Sequence, residues 1–184
     1  MFQKLFNRSK KREFDLRDDY VAWRDFIFSV QSNQVGISDN QPQQVYGVVL
    51  DVGLANEDGS APVKNMVITM TAFASGESSL KTSFGGGVFG LGDNNEVVAT
   101  SAKHIIELAQ ALQVKTQPTS NFELPESGKV YFYFLTTSEI RKYACEIKDA
   151  SVKGHLFNPI FALFTLIKNE SDRIMGEINH QNPS

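Results

Sequence analysis

The chain has 184 residues, a formal net charge of −3, 41% apolar and 21% charged residues, 14 Phe and one Cys. This length and composition are typical of one folded domain with its own hydrophobic core, and they exclude an intrinsically disordered chain. The negative charge argues against general attraction to nucleic acid, and one cysteine excludes an intrachain disulfide or a cysteine-based metal cluster.

Basic residues are concentrated at the start of the chain. Residues 1–15 are predicted to be a mobile basic arm, followed by a single domain over 16–178 and a frayed tail over 179–184. Apolar and basic side chains alternate in the arm: Phe2, Lys4, Leu5, Phe6, Arg8, Lys10 and Lys11. Two readings stay open, contact with an anionic membrane or a partner's groove, and a disordered start that only aids solubility.

The sequence gives no sign of a membrane-spanning or exported protein. No apolar run reaches the roughly 18 residues that a spanning helix needs. The basic start also lacks the apolar stretch and cleavage site of a signal peptide. We therefore expect a cytoplasmic protein.

The first predicted element is an amphipathic helix over residues 16–31. Its apolar positions recur at intervals of three and four residues: Leu16, Tyr20, Trp23, Ile27 and Val30. Acidic residues near the start of the helix favour the positive end of the helix dipole. Residues 32–44 carry almost no large apolar group and are predicted to form a polar loop.

Three strands are predicted next. Residues 44–55 are rich in β-branched side chains, and the loop after them contains Asp58-Gly59, which suits a turn. Residues 66–74 and 78–84 are predicted to form a hairpin with Gly76 in its turn.

The second half of the chain predicts a helix, a hairpin and a final helix. The first helix runs from Asn94 or Asn95 to about Val114, and its predicted apolar stripe includes Val97. Residues 128–137 form a strand by their alternation and aromatic content.

Residues 140–147 are open to two interpretations, an antiparallel return strand or part of a helix over 138–148. The final helix is predicted over about 159–178. The order is α-β-β-β-α-β-β-α. Short connections between strands predict antiparallel pairing, so the fold class is α+β, with a mainly antiparallel sheet of about five strands packed with three helices.

The most unusual segment is SFGGGVFGLGDNNE, residues 83–96, between a predicted strand and a predicted helix. Glycines before a helix N-terminus allow an anion to approach the backbone closely. However, the segment lacks the Lys and Ser/Thr of a P-loop, and it follows a hairpin rather than the first strand of a βαβ unit. The alternative is structural: glycines occur where φ is positive or a Cβ has no room. Candidate anion-binding residues are Lys81, Ser83, Gly85, Gly86, Gly87, Gly90, Gly92, Asn94 and Lys103.

Other residues with reactive side chains form no recognisable motif. His104, His155 and His180 have no metal-ligand spacing, and Cys145 in an alternating strand is typical of a small buried side chain. We assign no catalytic residue, no metal site and no cofactor from the sequence.

The stretch from Tyr46 to Ile178 resembles an uncharacterised family of small bacterial proteins. The resemblance rests on VYGVVLD, TAFASGESSLKTSFGGGVFGLG, LPESGKVYFYFLTT and HLFNPIFALF, with SLxxSxGGGxxG as its most distinctive part. It covers about two thirds of the chain. It implies a compact domain built around the glycine segment and a strand at Lys142–Glu146, and it implies no particular activity.

These observations predict a cytoplasmic interaction or regulatory domain without catalytic activity, whose partner is an unidentified protein or a second copy of the chain. One alternative is a small anionic ligand, a nucleotide or phosphorylated metabolite, bound at residues 85–92 and the following helix N-terminus. The other is weak peripheral membrane attachment through residues 1–12. No nucleic-acid partner is expected.

Overall fold

A computed structural model describes residues 16–38, 40–55 and 65–181. The predicted arm over residues 1–15, with its membrane or partner contacts, lies outside the described residues. So do the predicted turn at Asp58-Gly59 and the end of the tail, residues 182–184.

The described residues form a seven-stranded sheet in the order β4-β3-β2-β1-β6-β7-β5, in which every neighbouring pair is antiparallel. Its strands are β1 (Val45–Ala55), β2 (Asn65–Phe73), β3 (Ser78–Thr82), β4 (Gly87–Val88), β5 (Gln117–Pro118), β6 (Lys129–Thr136) and β7 (Ile140–Glu146). The α+β class is confirmed, and the strand interpretation of residues 140–147 is correct. The predicted five strands omit β4 and β5, because an edge strand of two residues has no periodic pattern.

Four α-helices lie in the described part of the chain: α1 (Asp18–Ser29), α2 (Glu96–Leu112), α3 (Ile147–Ala150) and α4 (Asn158–Gln181). Short 3-10 helices span Ser32–Val35 and Gln113–Lys115. The predicted count of three helices was wrong because α3 is a single turn after β7. The helix α4 also continues beyond its predicted end at residue 178.

The two faces of the sheet carry separate cores, because side chains alternate along each strand. On β1, Val48 and Leu50 face one core, which α2 and α4 cover, whereas Val49 faces the other, which α1 covers. The buried faces of α1 and α2 both differ in part from the predicted apolar stripes. Val97 on α2 is 49% exposed, and Ala102 and Ala109 pack against the sheet where larger residues would not fit as closely.

The buried face of α1 includes a charged residue. The helix buries Tyr20, Arg24 and Ile27, whereas the predicted stripe contained Trp23, which is only half-buried. Arg24 is one helical turn after Tyr20 and is 7% exposed. A buried arginine requires a partner, and Asp51 on the central strand β1 provides it.

Arg24 and Asp51 form the centre of a buried polar network. Arg24 Nη2 and Nε donate to Asp51 Oδ2 at 2.5 and 3.2 Å, and Nη1 donates to the carbonyl of Phe122 at 2.6 Å. The Thr69 hydroxyl donates to Asp51 Oδ1 at 2.5 Å. The Tyr20 hydroxyl lies 2.7 Å from the Thr69 hydroxyl. The network therefore connects α1 to two strands and to the loop before β6.

The environment keeps Arg24 charged in the interior. Burial alone would lower the pKa of the guanidinium, but the charge and hydrogen bonds of Asp51 raise it above its usual value. The guanidinium carbon also lies 4.8 Å from the ring centroid of Phe28, a favourable cation–π distance. Burial raises the pKa of the neighbouring Tyr20, so its hydroxyl stays protonated.

We predict that Arg24→Met lowers the free energy of unfolding by about 3–5 kcal/mol, because it leaves the Asp51 carboxylate buried without its cation. Urea denaturation followed by circular dichroism measures this change. The matched control is Lys168→Met, whose partner Asp172 is an exposed i,i+4 neighbour, and it should cost no more than about 0.5 kcal/mol. Equal, small losses in both variants would contradict the structural role of Arg24.

Candidate functional site

The glycine segment forms the turn from β3 into the short edge strand β4 and then the loop leading to α2. Gly85 and Gly86 occupy the turn with φ of +113° and +77°, a region that favours glycine. Gly87 pairs with Lys81 across β3 and β4. Gly92 approaches another turn so closely that a Cβ there would lie 2.1 Å from the carbonyl oxygen of Gly76.

Backbone N–H groups of this segment donate to acceptors within the protein. Gly85 donates to the carbonyl of Thr82 at 3.2 Å, and Asp93 donates to the carbonyl of Gly90 at 3.2 Å. The N–H of Gly90 donates to Glu77 Oε1 at 3.0 Å. These donors therefore do not converge on an open space where an anion would lie.

The N-terminus of α2 also has its own partners. Asn95 caps the helix, since its Oδ1 accepts from the N–H of Val98 at 3.1 Å, while the predicted ligand residue Asn94 lies exposed before the helix. Asn95 Nδ2 donates to Glu170 Oε2 of α4 at 3.1 Å. This bond and the nearby Arg173 lower the pKa of Glu170. A carboxylate thus already lies beside this helix end.

The predicted basic ligands are not brought together. Lys81 lies on the α1 face of the sheet, where its Nζ is 3.0 Å from Asp19 Oδ2. Lys103 is exposed on α2, which covers the opposite face. Ser83 is fully buried, and its Oγ accepts from the N–H of Val67 at 3.1 Å. The structure therefore places Lys81, Ser83 and Lys103 in separate environments and does not bring them together at one site.

The remaining candidate side chains are also dispersed. His104 is exposed on α2 beside Glu107, whereas His155 lies between Tyr143, whose hydroxyl is 3.3 Å from Nε2, and the N–H of Phe157. The described residues contain no group of three or more His, Cys, Asp or Glu side chains that could hold a metal ion. No helix within the described ranges is long and apolar enough to cross a bilayer.

A different feature is the strongest candidate site. An open groove of about 380 Å³ lies between α1, the 3-10 helix after it, the β2–β3 turn and the glycine segment. We call it the α1 groove, and the residues that matter for its chemistry are Trp23, Phe26, Val35, Phe73, Glu77 and Phe89. Phe26 and Phe89 are 58% and 55% exposed, so two large rings face solvent at its rim.

Glu77 is the one titratable residue of the α1 groove. Its Oε1 accepts from the N–H of Gly90 at 3.0 Å and from the hydroxyl of Ser79 at 3.2 Å. Burial raises the pKa of the Glu77 carboxyl above its usual value, and the two hydrogen bonds only partly oppose that effect. The groove therefore presents a half-buried carboxylate among aromatic rings.

Sequence reasoning missed this groove. Its walls come from α1, the β2–β3 turn and the glycine segment, which are far apart in the chain. One signal was available: Trp23 and Phe26 lie at helical spacing beside the buried stripe of α1, so this helix is apolar on more than one face. Large exposed apolar patches on proteins often mark interaction sites, so this pattern was a signal for a candidate site on α1.

Comparison with known proteins adds no family to these observations: no protein-family model, curated protein or solved structure matches the chain. The resemblance carried by SLxxSxGGGxxG stays a prediction.

We predict that Gly92→Ala destabilises the fold by about 1–3 kcal/mol, because its Cβ would overlap the Gly76 carbonyl. The matched control is Gly176→Ala in α4, where nothing lies within 4 Å of the new Cβ. Gly176→Ala should raise the free energy of unfolding by about 0.5–1 kcal/mol, because alanine has a higher helix propensity than glycine. Thermal and urea unfolding of the two variants measures the contrast, and a neutral Gly92→Ala would contradict the close approach.

We also predict that Cys145 reacts slowly with thiol reagents. Burial, with the nearby charge of Asp149, raises the pKa of its thiol to about 11. The thiolate is the reactive form, so alkylation by iodoacetamide at about pH 7.5 should be more than about tenfold slower than for a free cysteine. Unfolding in urea should restore the normal rate. An alkylation rate of the native protein equal to that of free cysteine would contradict the raised pKa of the Cys145 thiol.

Proposed function

We propose that the protein is a non-catalytic interaction domain that binds a segment of a partner protein in the α1 groove. The observation that carries this proposal is the pair of exposed rings, Phe26 and Phe89, at the rim of an open groove. Aromatic side chains are enriched at protein interfaces and contribute much of their binding energy.

The chemistry of the α1 groove supports binding rather than catalysis. Glu77 is its one titratable residue, and its lining contains no histidine, cysteine or lysine that could act beside the carboxylate. General acid–base or nucleophilic catalysis needs such a second group within hydrogen-bond reach. A single carboxylate among apolar side chains is suited to fixing the orientation of a bound segment.

An anionic ligand at the glycine segment has less support. The N–H groups of Gly85 and Gly90 already donate within the protein, and Glu170 lies beside the capped end of α2. Negative charge at that end would repel a phosphate. The α1 groove is therefore the better candidate for partner binding.

We predict that selection of random displayed peptides against the full-length protein enriches sequences with large apolar side chains. Their dissociation constants should lie in the micromolar range typical of short segments, which corresponds to a binding free energy of about −8 kcal/mol. Phe89→Ala should lower the affinity for the selected peptides by at least about tenfold, because it removes an exposed ring from the groove. Isothermal titration calorimetry measures this change. Leu156→Ala is the matched control, since Leu156 is 49% exposed and lies outside the groove.

Two outcomes would contradict the proposal. One is that Phe89→Ala and Leu156→Ala affect the peptides equally, which would place their binding elsewhere. The other is that sedimentation shows a homodimer that Phe89→Ala dissociates, which would mean that a second copy of the chain covers the groove.

A further inference from the structure

The carboxylate of Glu77 has an unusual position for an acidic residue. It is half-buried in the wall of the α1 groove, directly after the turn glycine Gly76. Among the described residues, no Lys, Arg or His forms an ion pair with it. Asp93 also acts on it as a like charge. A cation placed beside Glu77 would therefore relieve an electrostatic cost that the protein itself leaves in place.

Aromatic rings line the approach to this carboxylate. The rings of Trp23 and Phe89 lie with centroids 5.8 Å apart and planes inclined by 59°, so they form two walls of a corner. The faces of such rings attract cations, and Trp does so most strongly. Phe89 already shows this behaviour within the protein, because the ammonium of Lys81 lies 5.6 Å from its ring centroid.

Lys81 does not itself satisfy Glu77. Its ammonium is paired with Asp19 at 3.0 Å and also donates to the Asp19 carbonyl at 3.3 Å. The side chain of Lys81 is 10% exposed, whereas that of its partner Asp19 on α1 is half-exposed. The positive charge of Lys81 beside Phe89 is thus compensated by Asp19 of α1, and the Glu77 carboxylate remains without an ion-pair partner among the described residues.

From this geometry we infer that the partner segment places a lysine side chain in the α1 groove, with its ammonium paired to Glu77 and its alkyl stem against Trp23 and Phe89. This inference rests on the proposed function and specifies what the groove recognises. A lysine has an apolar stem and a compact charged head, which matches apolar walls that end at one carboxylate. Because Glu77 Oε1 already accepts two hydrogen bonds, the carboxylate is poorly placed for the two-point contact that a guanidinium prefers.

The inference can be tested directly because Trp23 is the one tryptophan of the chain, and its fluorescence therefore reports on the groove. The probes are pentylammonium, which reproduces the four-carbon lysine side chain together with its Cα, and neutral 1-pentanol. We expect pentylammonium to change the Trp23 emission saturably, at a concentration at least about tenfold lower than pentanol requires.

Three variants localise the effect. Glu77→Gln should remove the preference for pentylammonium, because the amide can still accept the Gly90 hydrogen bond but carries no charge. Glu107→Gln removes one charge from an exposed position on α2 and should leave the preference unchanged. Phe89→Leu keeps an apolar wall but removes the ring face. It should therefore weaken the binding of pentylammonium several-fold and the binding of pentanol only slightly. Circular dichroism checks that each variant is folded. If Glu77→Gln does not fold, Phe89→Leu still tests the inference.

The possible failures are distinguishable. If pentylammonium and pentanol bind the wild type equally, or if Glu77→Gln retains the preference, the inference is wrong. Selected peptides that need Phe89 but tolerate replacement of every lysine by norleucine would also overturn it, while the proposed function would stand. Both the inference and the proposed function are supported if replacing the peptide lysines by norleucine lowers affinity for the wild type by at least about tenfold but does not lower affinity for Glu77→Gln.

Discussion

The charge pair between Arg24 and Asp51 determines how α1 lies on the sheet. Asp51 is fully buried on the central strand β1, and Arg24 reaches it from one turn beyond Tyr20. The guanidinium also holds the loop carbonyl of Phe122 at 2.6 Å, so three parts of the chain meet at one side chain. Such a pair adds little net stability compared with apolar packing, but it tolerates few alternative arrangements. It therefore fixes the rotation of the helix.

That rotation produces the α1 groove. With Arg24 facing the sheet, Trp23 lies at the flank of the helix and Phe26 faces outward. The glycine segment completes the groove from the other side, because Phe89 stands in its wall and the N–H of Gly90 holds Glu77 at 3.0 Å. The glycines thus contribute to the candidate site by shaping a turn that carries an aromatic ring and orients a carboxylate.

The sequence was sufficient for the long elements, because β-branched and aromatic residues are concentrated in β1 and β6, and the apolar residues of α4 recur at helical spacing. Both β4 and β5 have two residues, and α3 has four, so no pattern could indicate them. No sequence pattern indicated that Arg24 is buried, because its partner Asp51 is 27 positions away. The groove was unpredictable for the same reason: its carboxylate and its rings come from separate segments that only the fold brings together.

Hydrogen exchange of the backbone amides tests most directly whether the buried pair positions α1. The comparison is between the wild type and Arg24→Met under native conditions, with β1 and β6 as internal references. The account predicts that the amides of α1 exchange at least about tenfold faster in the variant while those of β1 and β6 stay protected, because the helix detaches as a local unit. Unchanged protection of α1 in a folded Arg24→Met variant would contradict it, since apolar packing alone would then position the helix and the groove.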